Sequence, residues 1–152
     1  LPTRSSSDLK HKTNVLLVNG DSCICHKYNE SLNNIKNDIQ DDDIVIFSHD
    51  DIIVHDEYIC EKLEMYFKMK PNIALAGVIG TTKYGKTGGW WHDFRQECAR
   101  GKIIQGKQDG TNYLMNDCPG NFDDLVCVDG CIMFMRGSIA KKYRFDQETL
   151  TG

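Results

Sequence analysis

The sequence predicts an α/β fold built on a mostly parallel β-sheet. Three short apolar runs carry this prediction: NVLLVNG at 14–20, IVIFS at 44–48 and NIALAGVIG at 72–80. Two segments with helical spacing of apolar residues separate these runs, so residues 14–80 have the order β-α-β-α-β. Strands that alternate with helices in this way form parallel sheets with right-handed crossovers.

Each of the two predicted helices has an apolar stripe and boundary signals. The stripe of the first helix repeats at helical spacing and consists of Ile24, Tyr28, Leu32, Ile35 and Ile39. Asp21 or Ser22 can cap this helix, and the acidic run at 41–43 ends it. The second helix starts near Asp56 and ends at Pro71. Its inner face is predicted to contain Ile59, Leu63, Tyr66 and Phe67.

The second half of the chain differs in character. Residues 81–120 are rich in Gly, Asn, Asp and Lys and contain two β-like pieces, KIIQG and NYLMN. This predicts a long loop or hairpin region of the kind that is often functional. In LVCVDGCIMFMRG, two strand-like runs are separated by Asp129 and Gly130, and SIAKKY predicts a short helix.

Composition limits the classes of function. The length of 152 residues favours one soluble domain. The net charge of −4 argues against a nucleic-acid partner. We expect this domain over 13–152, after a loose segment at 1–12. No apolar stretch is long enough to cross a bilayer, and the first ten residues lack the apolar centre of a signal peptide. The chain has seven cysteines, an odd number that cannot all pair with one another, and several of them lie in apolar runs. This is expected for reduced thiols in a cytoplasmic protein.

The stretch GTTKYGKT at 80–87 matches the G-x-x-x-x-G-K-[ST] phosphate loop. A strand precedes it, as such a loop requires. A helix starting at Lys86 would have Gly88 and Gly89 in its first turn, at a cost of about 1 kcal/mol each relative to Ala. A nucleotide hydrolase with a phosphate loop is therefore the weaker alternative, and a flexible Gly-Lys loop is the preferred explanation of the match.

His49, Asp50 and Asp51 directly follow the second predicted strand. In open parallel sheets, ligands bind beyond the carboxyl ends of the strands. Two adjacent carboxylates are stabilised by a positive partner, and oxygen ligands suit Mg²⁺ or Mn²⁺ together with substrate phosphates. The competing interpretation is a solvated turn with a helix cap, in which aspartate is also common.

Four segments, in the same order, resemble family 2-type glycosyltransferases, in the branch in which a His-Asp-Asp stretch replaces Asp-x-Asp. They are ICHKYNESLNNIKND, FSHDDIIVHDEYICEKLEMYFKMKPNIALAGVIG, GGWW and VDGCIMFMRGSIAKKYRFDQET. The resemblance spans residues 14–149. It implies a GT-A-like (Rossmann-like) three-layer sandwich with a mostly parallel sheet. It also implies a fragment, incomplete at both ends, that lacks the family's first strand and its C-terminal catalytic segment.

The resemblance implies a donor site at the acidic stretch. Asp51 matches the metal-binding last acid of the motif, and Asp50 matches the acid near the metal and the donor's ribose. His49 replaces the first acid of the motif. The implied cofactor is Mn²⁺ or Mg²⁺, and the implied donor is a nucleotide-diphosphate sugar.

The resemblance also implies an acceptor side. Asp129 and Gly130 match the segment that lines the acceptor pocket, and Trp90 and Trp91 would lie near the sugar. Asp146 matches the acid of the F-D-E stretch, where this chain has Gln147 in place of Glu. The family's usual base follows that stretch and would lie beyond this chain, so Asp129 and Asp146 are the remaining candidates for the catalytic base.

The function implied by the resemblance is metal-dependent transfer of a sugar to a hydroxyl acceptor such as a glycan, with inversion at the sugar carbon. The alternative is a non-catalytic or degenerate fragment that binds a sugar nucleotide without turnover.

Overall fold

The structure is a computed structural model that describes residues 14–84, 98–107, 109–118 and 124–148. Three helices and seven strands lie in these ranges. The helices are α1 (Ile24–Ile35), α2 (Ile59–Met69) and α3 (Gly137–Ala140). The strands are β1 (Ile44–Ser48), β2 (Leu75–Gly77), β3 (Ile79–Thr81), β4 (Ala99–Gly106), β5 (Asn112–Cys118), β6 (Cys127–Val128) and β7 (Ile132–Arg136).

The strands form two small antiparallel sheets. Sheet A has the order β1-β7-β2, and sheet B has the order β5-β4-β3-β6. Every strand pair in both sheets is antiparallel. The prediction of a mostly parallel sheet is therefore wrong for the described part of the chain. Strands β1 and β2 do run in the same direction, but β7 lies between them and pairs with both.

Strand β7 is the centre of the core because it is buried on both faces. Met133 and Met135 pack in a cluster with Leu32 of α1, whereas Ile132 and Phe134 pack with α2. Side chains alternate between the two faces of a strand, so one helix covers each face of sheet A. A strand with two apolar faces is stabilised most when it has a neighbour on both edges, which accounts for its insertion between β1 and β2.

The first predicted strand is not formed. Residues 14–19 have no regular structure, and Val15 and Leu17 are 79% and 81% exposed. A strand needs a neighbour to pair its backbone groups, and the described residues offer none at this segment. The third predicted strand is divided at Val78 into β2 and β3, which lie in different sheets.

All three predicted helices are confirmed with shifted ends, the short third one as α3 (Gly137–Ala140). Helix α1 has Cys23 as its N-cap residue rather than Asp21 or Ser22, and it ends before Ile39, which is nevertheless buried. Helix α2 starts at Ile59 and ends before Pro71. The β4–β5 hairpin confirms the two β-like pieces predicted in the second half. No helix in the described ranges is long and apolar enough to cross a membrane.

Candidate functional site

Two of the segments singled out from the sequence meet at one end of sheet A. Strand β1 pairs with β7 up to Ser48 and Ile132. The ladder continues one step further, because the backbone N–H of His49 donates a hydrogen bond of 3.0 Å to the carbonyl oxygen of Cys131. This bond holds the His49-Asp50-Asp51 stretch beside the turn at 129–131.

The turn at 129–131 also joins the two sheets. The backbone N–H of Asp129 donates to the carbonyl oxygen of Ile79 in β3, at 2.9 Å. The Asp129 carboxylate accepts a hydrogen bond of 2.8 Å from the backbone N–H of Cys131. Gly130, between them, is exposed. Sheet B thus fixes one side of the turn, and β1 of sheet A fixes the other.

The side chains of His49, Asp50 and Asp51 are exposed beyond the end of β1. Within the described ranges, neither carboxylate forms a hydrogen bond or an ion pair with another residue. The same ranges contain no group of three or more His, Cys, Asp or Glu side chains arranged to hold a metal ion. Two open carboxylates fit a cation that takes its other ligands from substrate phosphates and water, as Mg²⁺ usually does.

Asp129 interacts with two thiols. Burial, followed by the hydrogen bond and the charge of Asp129, raises the pKa of Cys131 to about 11. Burial and then the Asp129 charge also raise the pKa of Cys127. Asp129 is itself half-buried, and its carboxylate accepts the hydrogen bond that closes the turn at 129–131.

Replacing Asp129 by Asn is expected to speed the alkylation of Cys131 and Cys127 by roughly a few-fold near pH 8. Removing the carboxylate charge lowers both pKa values and raises the thiolate fraction, although the burial of Cys131 keeps its pKa above the ordinary value. Iodoacetamide labelling followed by mass spectrometry gives the rate at each cysteine.

Cys25 is an internal control for this experiment. Its pKa is raised by burial, by Cys23 and by the charge of Asp146, but not by Asp129. Asp129→Asn should therefore leave the rate at Cys25 unchanged, and Asp146→Asn should raise it. Equal rates at Cys131 in the wild type and in Asp129→Asn would contradict the described turn.

Asp146 lies in a different setting, on the segment that follows α3. It lines a shallow, polar cavity of about 430 Å³ between α1 and residues 144–148. Its carboxylate accepts a hydrogen bond of 2.9 Å from the backbone N–H of Glu148. The side chain is exposed, in contrast to the half-buried Asp129.

The local hydrogen bonds of Asp129 and Asp146 do not by themselves indicate catalysis. Each carboxylate accepts from the backbone N–H two residues further on. Asp56 and Asp109 form the same bond, to Tyr58 and Thr111, in turns that no functional pattern singled out. This is the ordinary turn geometry of aspartate.

A residue that the sequence patterns did not assign to the site also lies here. Asn29 of α1 is 5% exposed, and its side chain is hydrogen-bonded to the backbone of Phe145. In the sequence, Asn29 directly follows Tyr28, which belongs to the apolar stripe of α1. A polar residue this close to the buried face of a helix indicates a side chain that needs a hydrogen-bond partner. Its partner could not be read from the sequence, because the two residues are 116 positions apart.

The phosphate-loop alternative fits the described residues poorly. Gly80 and Thr81, the first two residues of the match, lie within β3 and are paired with both β4 and β6. A loop that cradles phosphate needs open backbone N–H groups at this point. Lys86, Trp90 and Trp91 lie outside the described residues, so the predictions made for them are untested.

A larger and mostly apolar cavity of about 720 Å³ lies between the end of α2, strand β2 and residues 124–128. It contains none of the residues to which the sequence assigned a role in binding or catalysis. We therefore treat the end of β1 with the turn at 129–131 as one part of the candidate site, and the cavity lined by Asp146 as a second part, which is connected to β1 through the contact between Phe145 and Phe47.

Comparison with known proteins relates the chain to one described family. A family model described as "Glycosyltransferase like family" matches residues 6–152. Neither the curated proteins nor the solved structures contain a significant match to the chain.

Proposed function

The chain belongs to the glycosyltransferase-like family, and from this premise we propose that it is a metal-dependent transferase. Its donor would be a nucleotide-diphosphate sugar, and its acceptor a hydroxyl group of a glycan or another molecule. The observation that carries the proposal is the hydrogen bond from the backbone N–H of His49 to the carbonyl oxygen of Cys131. It brings the acidic stretch and the turn at 129–131 to the same end of sheet A.

In this proposal, Asp51 and Asp50 hold Mn²⁺ or Mg²⁺ together with the donor's diphosphate. Both side chains are exposed and bind no other described residue, so they can serve as oxygen ligands without breaking an existing contact. When bound, the cation supplies positive charge that stabilises the leaving diphosphate. His49 contributes mainly through its backbone, which is tied to Cys131.

The transfer step needs a base for the acceptor hydroxyl. In an inverting reaction, the acceptor oxygen bonds to the sugar carbon as the bond to the diphosphate breaks, and the hydroxyl proton passes to the base. We assign the role of this base to Asp146, because its carboxylate is exposed and lines a cavity. Asp129 instead stabilises the turn at 129–131 through its hydrogen bond to Cys131. Gly130, beside it, has open space where a side chain would lie.

Binding of a nucleotide diphosphate provides the test. Titration calorimetry with UDP and with GDP, with and without Mn²⁺, should give binding of at least one nucleotide that depends on the metal. Asp51→Ala should weaken this binding at least about tenfold, which corresponds to ~1.4 kcal/mol, because a charged ligand of the cation is lost.

Asp42→Ala is the matched control. Asp42 is an exposed acid in the turn just before β1, at the opposite end of the strand from Asp51, and its replacement changes the net charge equally. It should leave the affinity unchanged. Metal-dependent binding that survives Asp51→Ala would exclude this donor site.

The second candidate, a binding module without turnover, makes a different prediction. It would bind the nucleotide with the same dependence on Asp51 but would release no nucleotide diphosphate from a sugar nucleotide in the presence of acceptors. The carboxylate of Asp129 favours this candidate, because it is half-buried and already accepts a hydrogen bond within its turn, and so is poorly placed to take a proton from an acceptor.

A further inference from the structure

Asn29 forms a reciprocal pair of hydrogen bonds with a single distant residue. Its side-chain nitrogen donates to the carbonyl oxygen of Phe145, at 2.8 Å, and its side-chain oxygen accepts from the backbone N–H of Phe145, also at 2.8 Å. Asn29 is 5% exposed, so little water can replace either bond. The amide therefore fixes both the position and the orientation of the Phe145 backbone.

The side chain of Phe145 is held at the same place by two rings. The ring centroid of Phe145 lies 5.4 Å from that of Tyr28 and 5.2 Å from that of Phe47. Tyr28 and Phe47 are themselves 4.8 Å apart. Because Phe47 lies in β1, two residues before His49, this aromatic trio connects α1 and the Phe145 segment to the strand that leads into the acidic stretch.

A second asparagine of α1 holds the residue before Phe145. The Arg144 guanidinium donates two hydrogen bonds, at 2.9 and 2.8 Å, to the side-chain oxygen of Asn33. Asn33 is exposed, whereas Asn29 is buried. Residues 144 and 145 are thus fixed to consecutive turns of one helix face, and the next residue in the chain is Asp146.

We infer that Asn29 is a positioning residue for Asp146. It fixes the backbone immediately before Asp146 relative to the end of β1, and so determines where the Asp146 carboxylate stands with respect to the donor at Asp50 and Asp51. This inference rests on the proposed function, in which Asp146 takes the acceptor proton. The two hydrogen bonds between Asn29 and Phe145 do not depend on that function.

The first readout is structural and needs no activity. In Asn29→Ala, hydrogen exchange at the backbone amide of Phe145 is expected to rise at least about tenfold, because this N–H loses its acceptor. Asn29→Asp keeps an acceptor for that N–H but loses the donor to the carbonyl, so a smaller rise is expected. Unchanged exchange at Phe145 in Asn29→Ala would overturn the inference.

The second readout is kinetic and separates positioning from stability. Transfer is measured well below the unfolding midpoint of each variant, as a function of pH. Asn29→Ala should lower kcat about tenfold and leave Mn²⁺-dependent binding of UDP or GDP unchanged, since the donor site is intact. The pH profile should keep the acidic limb that Asp146→Asn removes. Asn29→Asp should lie between Asn29→Ala and the wild type, and it serves in place of Asn29→Ala if that variant does not fold.

Asn34→Ala is the matched control, since Asn34 is an exposed asparagine of the same helix. It should leave the exchange, the nucleotide binding and kcat at wild-type values. A kcat for Asn29→Ala equal to that of Asn34→Ala, despite faster exchange at Phe145, would overturn the positioning role and leave only a structural clasp. A wild-type protein with a protected Phe145 amide but no transfer would instead overturn the proposed function.

Discussion

Phe134→Ala is expected to lower the free energy of unfolding by about 3–5 kcal/mol, because it removes a large side chain from a packed core and leaves a cavity. Phe134 is 3% exposed and lies in β7, the strand that has neighbours on both edges. It packs against Leu63 and Phe67 of α2. Natural domains are stable by about 5–15 kcal/mol, so this single change would remove a large share of the total.

Urea denaturation followed by circular dichroism measures this loss, and Ile46→Ala is its control. Ile46 is the β1 residue that pairs with Phe134 in the register, but it is 45% exposed. Its replacement should cost about 1 kcal/mol or less. Equal losses for Phe134→Ala and Ile46→Ala would mean that the face of β7 toward α2 is not part of the core.

Gly101→Ala is expected to cost about 2–5 kcal/mol, from two separate causes. Gly101 has φ +103°, a conformation that residues with a side chain rarely adopt. In addition, a methyl group here would overlap the carbonyl oxygen of Val78 and lie 2.7 Å from Cα of Ile79. Strand β4 can approach β3 this closely only because position 101 has no side chain, so the substitution should disturb sheet B and the turn at 129–131 that β3 holds.

Three other glycines separate the two causes. Gly110 has φ +82° but open space where a methyl group would lie, so Gly110→Ala should cost only the backbone strain of about 1–2 kcal/mol. At Gly80 the backbone is not strained, but a methyl group would overlap the Cys127 carbonyl oxygen, with an expected cost of about 1–3 kcal/mol. Gly106→Ala has neither problem and should be nearly neutral. A Gly101→Ala loss no larger than that of Gly110→Ala would contradict the close β3–β4 approach.

The elements themselves were largely predictable from the sequence. The stripes of α1 and α2, the run IVIFS and the two strand-like runs on either side of Asp129 and Gly130 all correspond to elements close to their predicted positions. These signals are local, since a helix or a strand needs only that its apolar residues recur on one face. The strand predicted at 14–20 is wrong because such a local signal says nothing about partners. An apolar run forms a strand only when a partner for its backbone is present.

The site was predictable in part. The sequence indicated that an acidic stretch follows a strand, and His49, Asp50 and Asp51 do lie directly beyond β1. It also singled out Asp129 and Gly130 but could not indicate that their turn is hydrogen-bonded to His49. The metal, donor and acceptor roles of these residues stay predictions, as do those of Trp90 and Trp91.

The sequence by itself determined most of the segments that become helices and strands, and the family model matched to it determined the family. Only the tertiary structure decided which strands are neighbours and which side chains meet. Strand β7 lies between β1 and β2, and Asn29 binds Phe145, because both arrangements satisfy backbone groups and apolar faces across long stretches of chain. Periodicity within a segment carries no information about such partners, since each partner is selected by burial and hydrogen bonding in the assembled core.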